Sequence, residues 1–453
     1  MTRPRGSTFM KSNTENVFHR QISRSYPAVV KGEGVYLWDE NGKRYLDGAA
    51  GVFVAILGQG VDEIADAIDA EMRQVTFAYT TTFTSETERA LTRKLVEWAP
   101  EAFDKAWICT SGSGANETAI KLARHYHLVR GNTGKFRVIA RHHSYHGSSI
   151  GALSLTGAVP RRQPYEPLLL DFPHISPPNC YRCPLDLIYP SCGAACASEL
   201  EDVIMREGPE TISAFIVEPM AGGPLGGLVT PPEYMRAARE ICDQYDVLLI
   251  VDEVISGIGR TGRNFAVEHT GVTPDIITIA KGLGAGYVPI GGVLAHKKIH
   301  AAFEEADTSF VHGESFTGHT AVSAAGLATL NYIEKHDLVR RAGTLGDHLG
   351  ECMETLRKNP MVGEIRGHGL LRGVELVADK TTKRPFPRAK GVAEAVGREC
   401  NERGLLVLPG VAGADGTDGD TVVLAPPYIV THEQIDTMVS ILGEAIKVVG
   451  AEM

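Results

Sequence analysis

No uninterrupted apolar run in this 453-residue chain approaches the ~20 residues that a membrane-spanning helix needs. The opening stretch, MTRPRGSTFMKSNTENVFHR, is polar and lacks the apolar core of a secretion signal, so a cytoplasmic location is expected. Long blocks of one charge sign are also missing. The net charge of -10 is spread along the length, which leaves no electrostatic footprint for nucleic acid and favours solubility. Neither common nucleotide-binding loop is present. Gly-Lys-Ser/Thr is absent where a P-loop requires it, and Gly112-x-Gly114 is followed by Glu117 where G-x-G-x-x-G needs its third glycine. With 43% hydrophobic and 22% charged residues, what remains is an ordinary globular composition, in a chain long enough for one large domain and a smaller one.

The pattern along the chain supports that division. Residues 1 to about 30 read as a loosely structured arm. GVYLWDENGKRYLDG follows as a hairpin turning at Asn41-Gly42. Val61, Ile64, Ala65, Ile68 and Met72 recur at helical spacing. From about residue 105, short apolar runs alternate with helical patterns: KAWICT, FRVIAR, ISAFIVEP, DVLLIVDE, DIITIAK and GGVLAH. Such alternation argues for βαβ units and a mainly parallel sheet buried on both faces. Beyond about 330 the pattern turns to short strands (MVGEIRGHG, LLRGVELV, LLVLPG, TVVLAPP) and a last helix from about 432. The expected division is residues 1–55 as arm and hairpin joining the small domain, 56–330 as a large α/β domain, and 331–453 as a small α+β domain.

Three ionisable residues sit directly after apolar runs: Glu218 after AFIV, Asp252 after VLLIV and Lys281 after IITIA. In open parallel sheets the crevice beyond the strands' carboxyl ends is where ligands bind. Each residue alone can simply end its strand in water; three together point to one site. TSGSGANETAIKLARHY (110–126) places small residues before a helix, and the free N–H groups and hydroxyls there suit a phosphate. Tyr145, beyond the strand FRVIA, can stack on a flat ring or merely pack. One ligand explains the set: pyridoxal phosphate. Lys281 would bind its aldehyde as a Schiff base, Asp252 would keep the pyridine nitrogen protonated, and the desolvated lysine would move a proton at the substrate carbon.

With these residues in place, the chain resembles the class III (fold type I) pyridoxal-phosphate-dependent aminotransferases, in the omega-amine:pyruvate branch. The likeness runs from YLDGAAGVF to LAPPYIVT. Its most specific stretch is LLIVDEVISGIGRTG…FAVEHTGVTPDIITIAKGLGAGYVPIGG, supported by SGSGANETAIK and SYHGSS. The resemblance implies a large domain with a mainly parallel seven-stranded sheet plus a smaller α+β domain. It implies a ping-pong transamination through aldimine and ketimine, from a primary amine or omega-amino compound to a 2-oxo acid, with pyruvate as acceptor. It makes Lys281 the Schiff-base lysine and Asp252 the partner of the ring nitrogen. Val254 and Tyr145 flank the ring, Gly112 and Ser113 hold the phosphate, and Glu218 orients Asp252. Ser315 stands where a threonine reaches the phosphate of the other subunit, which implies a homodimer with composite sites. Phe53 matches a family tryptophan and, with Tyr79 and Phe83, is a candidate wall of an apolar substrate pocket.

Several positions depart from the family. Gly114 replaces a glutamate. Glu314 replaces a residue that is often aromatic, making the phosphate edge or the substrate mouth more acidic. Ile255 stands where other branches carry a glutamine, and with Tyr145 it points to the omega-amine branch. No arginine follows Arg403, although that branch commonly places a mobile one ahead of the last strand. The matching loop, GVAGADGTDGDT, holds Asp415, Asp418 and Asp420, read either as a solvated loop or as a mouth that attracts cationic amines. The acceptor carboxylate then needs Arg161, Arg162, Arg372 or neutral donors.

Cys180, Cys183, Cys192 and Cys196 form C-x2-C-x8-C-x3-C, compatible with structural zinc or with free buried thiols, and no other metal is expected. His146, His312 and His319 read as structural. Another reaction of the same cofactor (aminomutase, racemase or decarboxylating transaminase) is the nearest alternative. A nucleotide-dependent oxidoreductase lacks its glycine fingerprint, and a silent cofactor-binding protein is disfavoured by the intact Lys281, Asp252 and phosphate seat.

Overall fold

The computed structural model describes residues 16–22 and 24–453; of the arm expected over residues 1 to about 30, residues 1–15 and 23 lie outside the described residues. Among the described residues fifteen strands, β1 to β15 in chain order, are distributed over three sheets. Among the described residues no helix is long and apolar enough to cross a membrane.

The large sheet holds β4 (Phe103–Cys109), β5 (Arg137–Arg141), β6 (His174–Ile175), β7 (Ile212–Val217), β8 (Leu248–Asp252), β9 (Ile276–Ile279) and β10 (Gly291–His296), in the order β4-β10-β9-β8-β7-β5-β6. Five of the six apolar runs form the parallel set. The sixth, GGVLAH, becomes β10 and runs antiparallel to both β4 and β9. Every residue of β7, β8 and β9 is buried, as expected of strands covered on both faces. The fold is therefore α/β with the expected seven-stranded sheet, and β6, the seventh strand, is only two residues long.

The first sheet consists of β1 (Val29–Glu33), β2 (Tyr36–Asp39), β3 (Arg44–Asp47) and, parallel to β3, β13 (Leu405–Leu406). Trp38 pairs with Arg44 across the expected turn, where Asp39 accepts from the N–H groups of Asn41 and Lys43, and Gly42 takes a φ of 78°. The third sheet, β11-β12-β15-β14, is wholly antiparallel: β11 (Val362–His368), β12 (Leu371–Leu376), β14 (Leu408–Val411) and β15 (Asp420–Leu424). The run LLVLPG is thus split between two sheets. The last helix, His432–Ala451, starts at a capping box in which Thr431 and Gln434 satisfy each other's backbone N–H groups.

Glu375 of β12 is buried and joins distant segments. One oxygen accepts from Arg182 at 2.6 Å and the other from Arg366 at 2.7 Å. Removing the carboxylate takes the ion-pair partner of the partly buried Arg182 and one of the two carboxylates on Arg366, which keeps Glu364, so Glu375→Ala is expected to destabilise the fold by about 2 kcal/mol, read as a lower urea midpoint. An unchanged midpoint would show that the pair is not coupled to folding.

Candidate active site

The carboxyl ends of β4, β5, β7, β8 and β9 open on one cavity of about 300 Å³, lined by residues that include Gly112, Ser113, Tyr145, His146, Glu218, Asp252, Val254 and Lys281. Gly112 and Lys281, 169 positions apart, meet there because each follows the end of a strand running the same way.

Asp252 ends β8 and is buried. Its Oδ2 accepts from Asn116 Nδ2 at 2.8 Å and lies 2.7 Å from His146 Nδ1; its Oδ1 accepts from the Val254 N–H at 3.0 Å. Asn116 is itself fixed, since its Nδ2 also donates to the His146 carbonyl at 2.6 Å and its Oδ1 accepts from Thr278 Oγ1 at 2.8 Å. A buried carboxylate with three donors around it is held in one orientation. His146, which reads as structural in the sequence, bonds a carboxylate 106 positions away. Asn116 and Thr278 carried no sequence signal beyond their place in a helix and a strand.

Lys281 follows β9 with a φ of 41°, a left-handed conformation that costs a non-glycine residue about 1 kcal/mol. Its amine faces the cavity, 6.0 Å from the centre of the buried Phe53 ring. Burial lowers its pKa from the usual 10.5 to about 8, with Asp252 and Glu218 opposing part of that shift. Glu218, next to β7, is also buried, and burial raises its pKa. Its Oε2 has no hydrogen-bond partner, and the side chains that grip Asp252 are Asn116 and His146 rather than Glu218.

β4 leads into the helix Gly112–Val129, whose N-cap Ser111 accepts from the Gly114 N–H at 3.0 Å. The first N–H groups of a helix have no intrahelical acceptor, so those of Gly112 and Ser113 remain for a ligand. A Cβ on Gly112 would lie 2.9 Å from Val254 Cγ1, so this position needs glycine. Ser113 Oγ accepts from the Ser148 N–H at 3.0 Å. Glu314 reaches this edge: its Oε2 accepts from Thr110 Oγ1 at 3.3 Å, and Thr110 lines the cavity. Tyr145 lines the cavity too, and the Arg161 guanidinium lies 5.6 Å from its ring centre.

These features fit pyridoxal phosphate. The cavity offers an amine of lowered pKa, a fixed carboxylate, a helix start free to take a phosphate, two flanking residues in Val254 and Tyr145, and unpartnered polar atoms on Glu218 and His146.

Other expected residues lie elsewhere. Tyr79 and Phe83 are exposed, meet each other edge to face at 5.5 Å and do not line the cavity of their own chain. Ser315 is exposed and also outside that cavity. The acidic loop does not form an acidic mouth: Asp420 is buried in β15 and accepts from the Ala393 N–H, while Asp418 accepts from the Arg388 N–H. Asp415 is occupied by the N–H groups of Thr417 and Asp418 within its own turn. Arg372 is committed to the carbonyls of Gly346, Gly367 and Gly369, and Arg162 to those of Ser154 and Thr156 and to Glu166. The four loop cysteines are free thiols around a small cavity, but no three of their sulfurs lie within 4.8 Å of one another.

The class-III aminotransferase family model matches residues 18–446, and the chain belongs to that family. It is 40% identical over 446 residues to an uncharacterised aminotransferase of Schizosaccharomyces pombe, covering 96% of each chain. An (S)-enantioselective omega-transaminase from Thermomicrobium roseum aligns with a TM-score of 0.87 at 36% identity, over 94% of this chain and 93% of that one. The omega-transaminase of Pseudomonas jessenii in complex with PMP gives a TM-score of 0.88 at 31% identity over the same shares. The chain is a pyridoxal-phosphate-dependent aminotransferase, which moves amino groups between small amines and oxo acids.

A lysine whose folded-state pKa is lowered binds fewer protons folded than unfolded between about pH 8 and 10.5. The cofactor-free protein should therefore gain stability as pH rises through that window, and lose that gain as pH falls through about 8. Denaturant unfolding across the window checks this. Lys281→Ala should flatten the slope, and an equal slope in both proteins would refute the lowered pKa.

Proposed function

We propose that this chain takes the amino group of a primary amine or omega-amino compound and gives it to a 2-oxo acid, with pyruvate the acceptor. The carrying observation is the pairing of Lys281 with the clamped Asp252 across one cavity whose substrate side is apolar. Met220, Ile255 and Val54 line it, with the Phe53 ring behind, and no arginine does so among the described residues. A wall of that kind tolerates a donor that carries no carboxylate. The likeness to omega-transaminases of Thermomicrobium roseum and Pseudomonas jessenii supports such a donor.

Gly112 and Ser113 would hold the cofactor phosphate, Val254 and Tyr145 would flank its ring, and Asp252 would serve its ring nitrogen. When bound, the cofactor supplies an electron sink for negative charge developing at the substrate carbon. Asp252 keeps a proton on the ring nitrogen through its fixed charge, and Asn116 and His146 keep it from turning away. Lys281 Nζ is the group that would bind the cofactor's aldehyde. Its free amine would move a proton off and onto the donor's amine-bearing carbon. Its pKa of about 8 keeps a useful fraction of free amine near neutral pH. In the second half-reaction the same nitrogen runs the transfer in reverse on the oxo acid.

Of the three arginines considered for the acceptor carboxylate, Arg161 alone has an exposed guanidinium, against the cavity residue Tyr145, and the reading assigns it that role. A homodimer also belongs to the reading. Ser315 and its exposed neighbours Phe316 and Phe77, whose rings lie 5.9 Å apart, would then meet a second copy, and Tyr79 and Phe83 would reach that copy's cavity.

The test uses Lys281→Ala and Arg161→Ala with an amine donor and pyruvate. Lys281→Ala should fold, elute as the wild type and show no transamination; normal turnover would overturn the assignment. Arg161→Ala should raise KM for pyruvate about tenfold, the worth of one charge-assisted contact, with kcat for the amine half-reaction unchanged. An unaltered KM would remove Arg161 from the acceptor site.

A further inference from the structure

A second group of donor atoms converges outside the cavity, on two packed helices of the C-terminal part. His348 and Cys352 lie four residues apart on the helix Leu338–Glu354, and His432 and Asp436 lie four apart on the helix His432–Ala451. Residues at that spacing share one face of a helix. The two faces meet. Asp436 Oδ1 lies 2.8 Å from His348 Nε2 and 3.3 Å from Cys352 Sγ, and Cys352 Sγ lies 3.5 Å from His348 Nε2. Among the described residues this is the one group of three such donors whose ligand atoms all lie within 4.8 Å of one another. The His432 ring stands next to it, 4.7 Å from the His348 ring. None of the four lines the active-site cavity.

We propose that His348, Cys352, Asp436 and His432 form a zinc site that clamps these two helices together. Two imidazoles, a thiolate and a carboxylate are a donor set suited to a tetrahedral d10 ion of borderline softness. With zinc bonds of about 2.0 Å to nitrogen and oxygen and about 2.3 Å to sulfur, the edges of the tetrahedron are about 3.3 to 3.6 Å. The two edges to sulfur already have that length. The His348–Asp436 edge is a hydrogen bond and opens by about half an ångström as the imidazole N–H moves to Nδ1 and the ion takes the place of the shared proton. His432 supplies the fourth ligand by turning its ring toward the same point.

The chemistry balances without another reactant. The Cys352 thiol, pushed up to about 11 by burial and by Asp436, is protonated at neutral pH and gives up that proton as the Zn–S bond forms. The imidazoles coordinate as neutral bases, and Asp436 is already a carboxylate, held below its ordinary pKa by Cys352 and His348. Access is open: the side chains of His348 and Asp436 are 27% and 58% exposed. Burying nothing new, the ion would act as a staple between helices, and its binding free energy would add to folding stability.

The test titrates chelator-treated, reduced holoenzyme with Co2+ and then Zn2+. The expected result is a sulfur-to-cobalt charge-transfer band that saturates with binding, is erased by Zn2+, and is accompanied by a higher thermal midpoint with either metal. In Cys352→Ser the band should vanish. In His348→Ala and in Asp436→Asn the affinity for Zn2+ should fall at least tenfold and the rise in midpoint should be lost. The 180–196 loop is a second source of thiols, so a band that persists unchanged in Cys352→Ser overturns the proposal, as does wild-type protein that shows no band. Undiminished Zn2+ affinity in His348→Ala would overturn it independently.

Discussion

The active site depends on keeping the Asp252 charge buried and still. A carboxylate removed from water must be compensated, and here the compensation comes from three separate parts of the chain: the helix after β4 through Asn116, the loop after β5 through His146, and the backbone of Val254. Thr278, on the strand beside β8, sets the orientation of Asn116 and so reaches Asp252 indirectly. The parallel sheet is what allows this, because it delivers all these segments to the same edge. Lys281 completes the balance. Its lowered pKa comes from the same burial, and Asp252 and Glu218 oppose part of that effect.

Much of this was legible in the sequence. Glu218, Asp252 and Lys281 stood out because each interrupts an apolar run at the point where a buried strand must end, and all three line the same cavity. Gly112 and Ser113 were legible as a cluster of small residues before a helix. The contacts that tune the site were not. Asn116 sits on a helix face that otherwise reads as core, and Thr278 is a β-branched residue inside a strand. Nothing local says that Asn116 meets Asp252 across 136 positions, or that Thr278 meets Asn116 across 162. His146 was misjudged for the same reason. Spacing along a chain shows the direction of a side chain within its own element, not what another element brings opposite it.

The misplacements share a cause. GGVLAH has the apolar composition of a parallel core strand, and composition does not encode direction, so the reversal at β10 needed the structure. Asp418 and Asp420 sit in a glycine-rich stretch that reads as exposed, yet both face inward to backbone N–H groups. Tyr79 and Phe83 were expected at the cavity and are exposed in the single chain. The pair formed by His348-x3-Cys352 and His432-x3-Asp436 was invisible for a related reason: each half is an ordinary helical spacing, and only the packing of the two helices makes a cluster.

The account stands on Asp252 as a fixed negative charge that works together with Lys281. The most direct measurement is the absorption spectrum of cofactor-loaded wild type and Asp252→Asn during a single half-reaction with an amine. Asparagine keeps the shape of the side chain and removes the charge. The account predicts that the yellow cofactor band of the wild type bleaches with amine and returns with an oxo acid, while Asp252→Asn retains the band and bleaches at least about a hundredfold more slowly, as the loss of a preorganised charge requires. Bleaching at the wild-type rate in Asp252→Asn would contradict it.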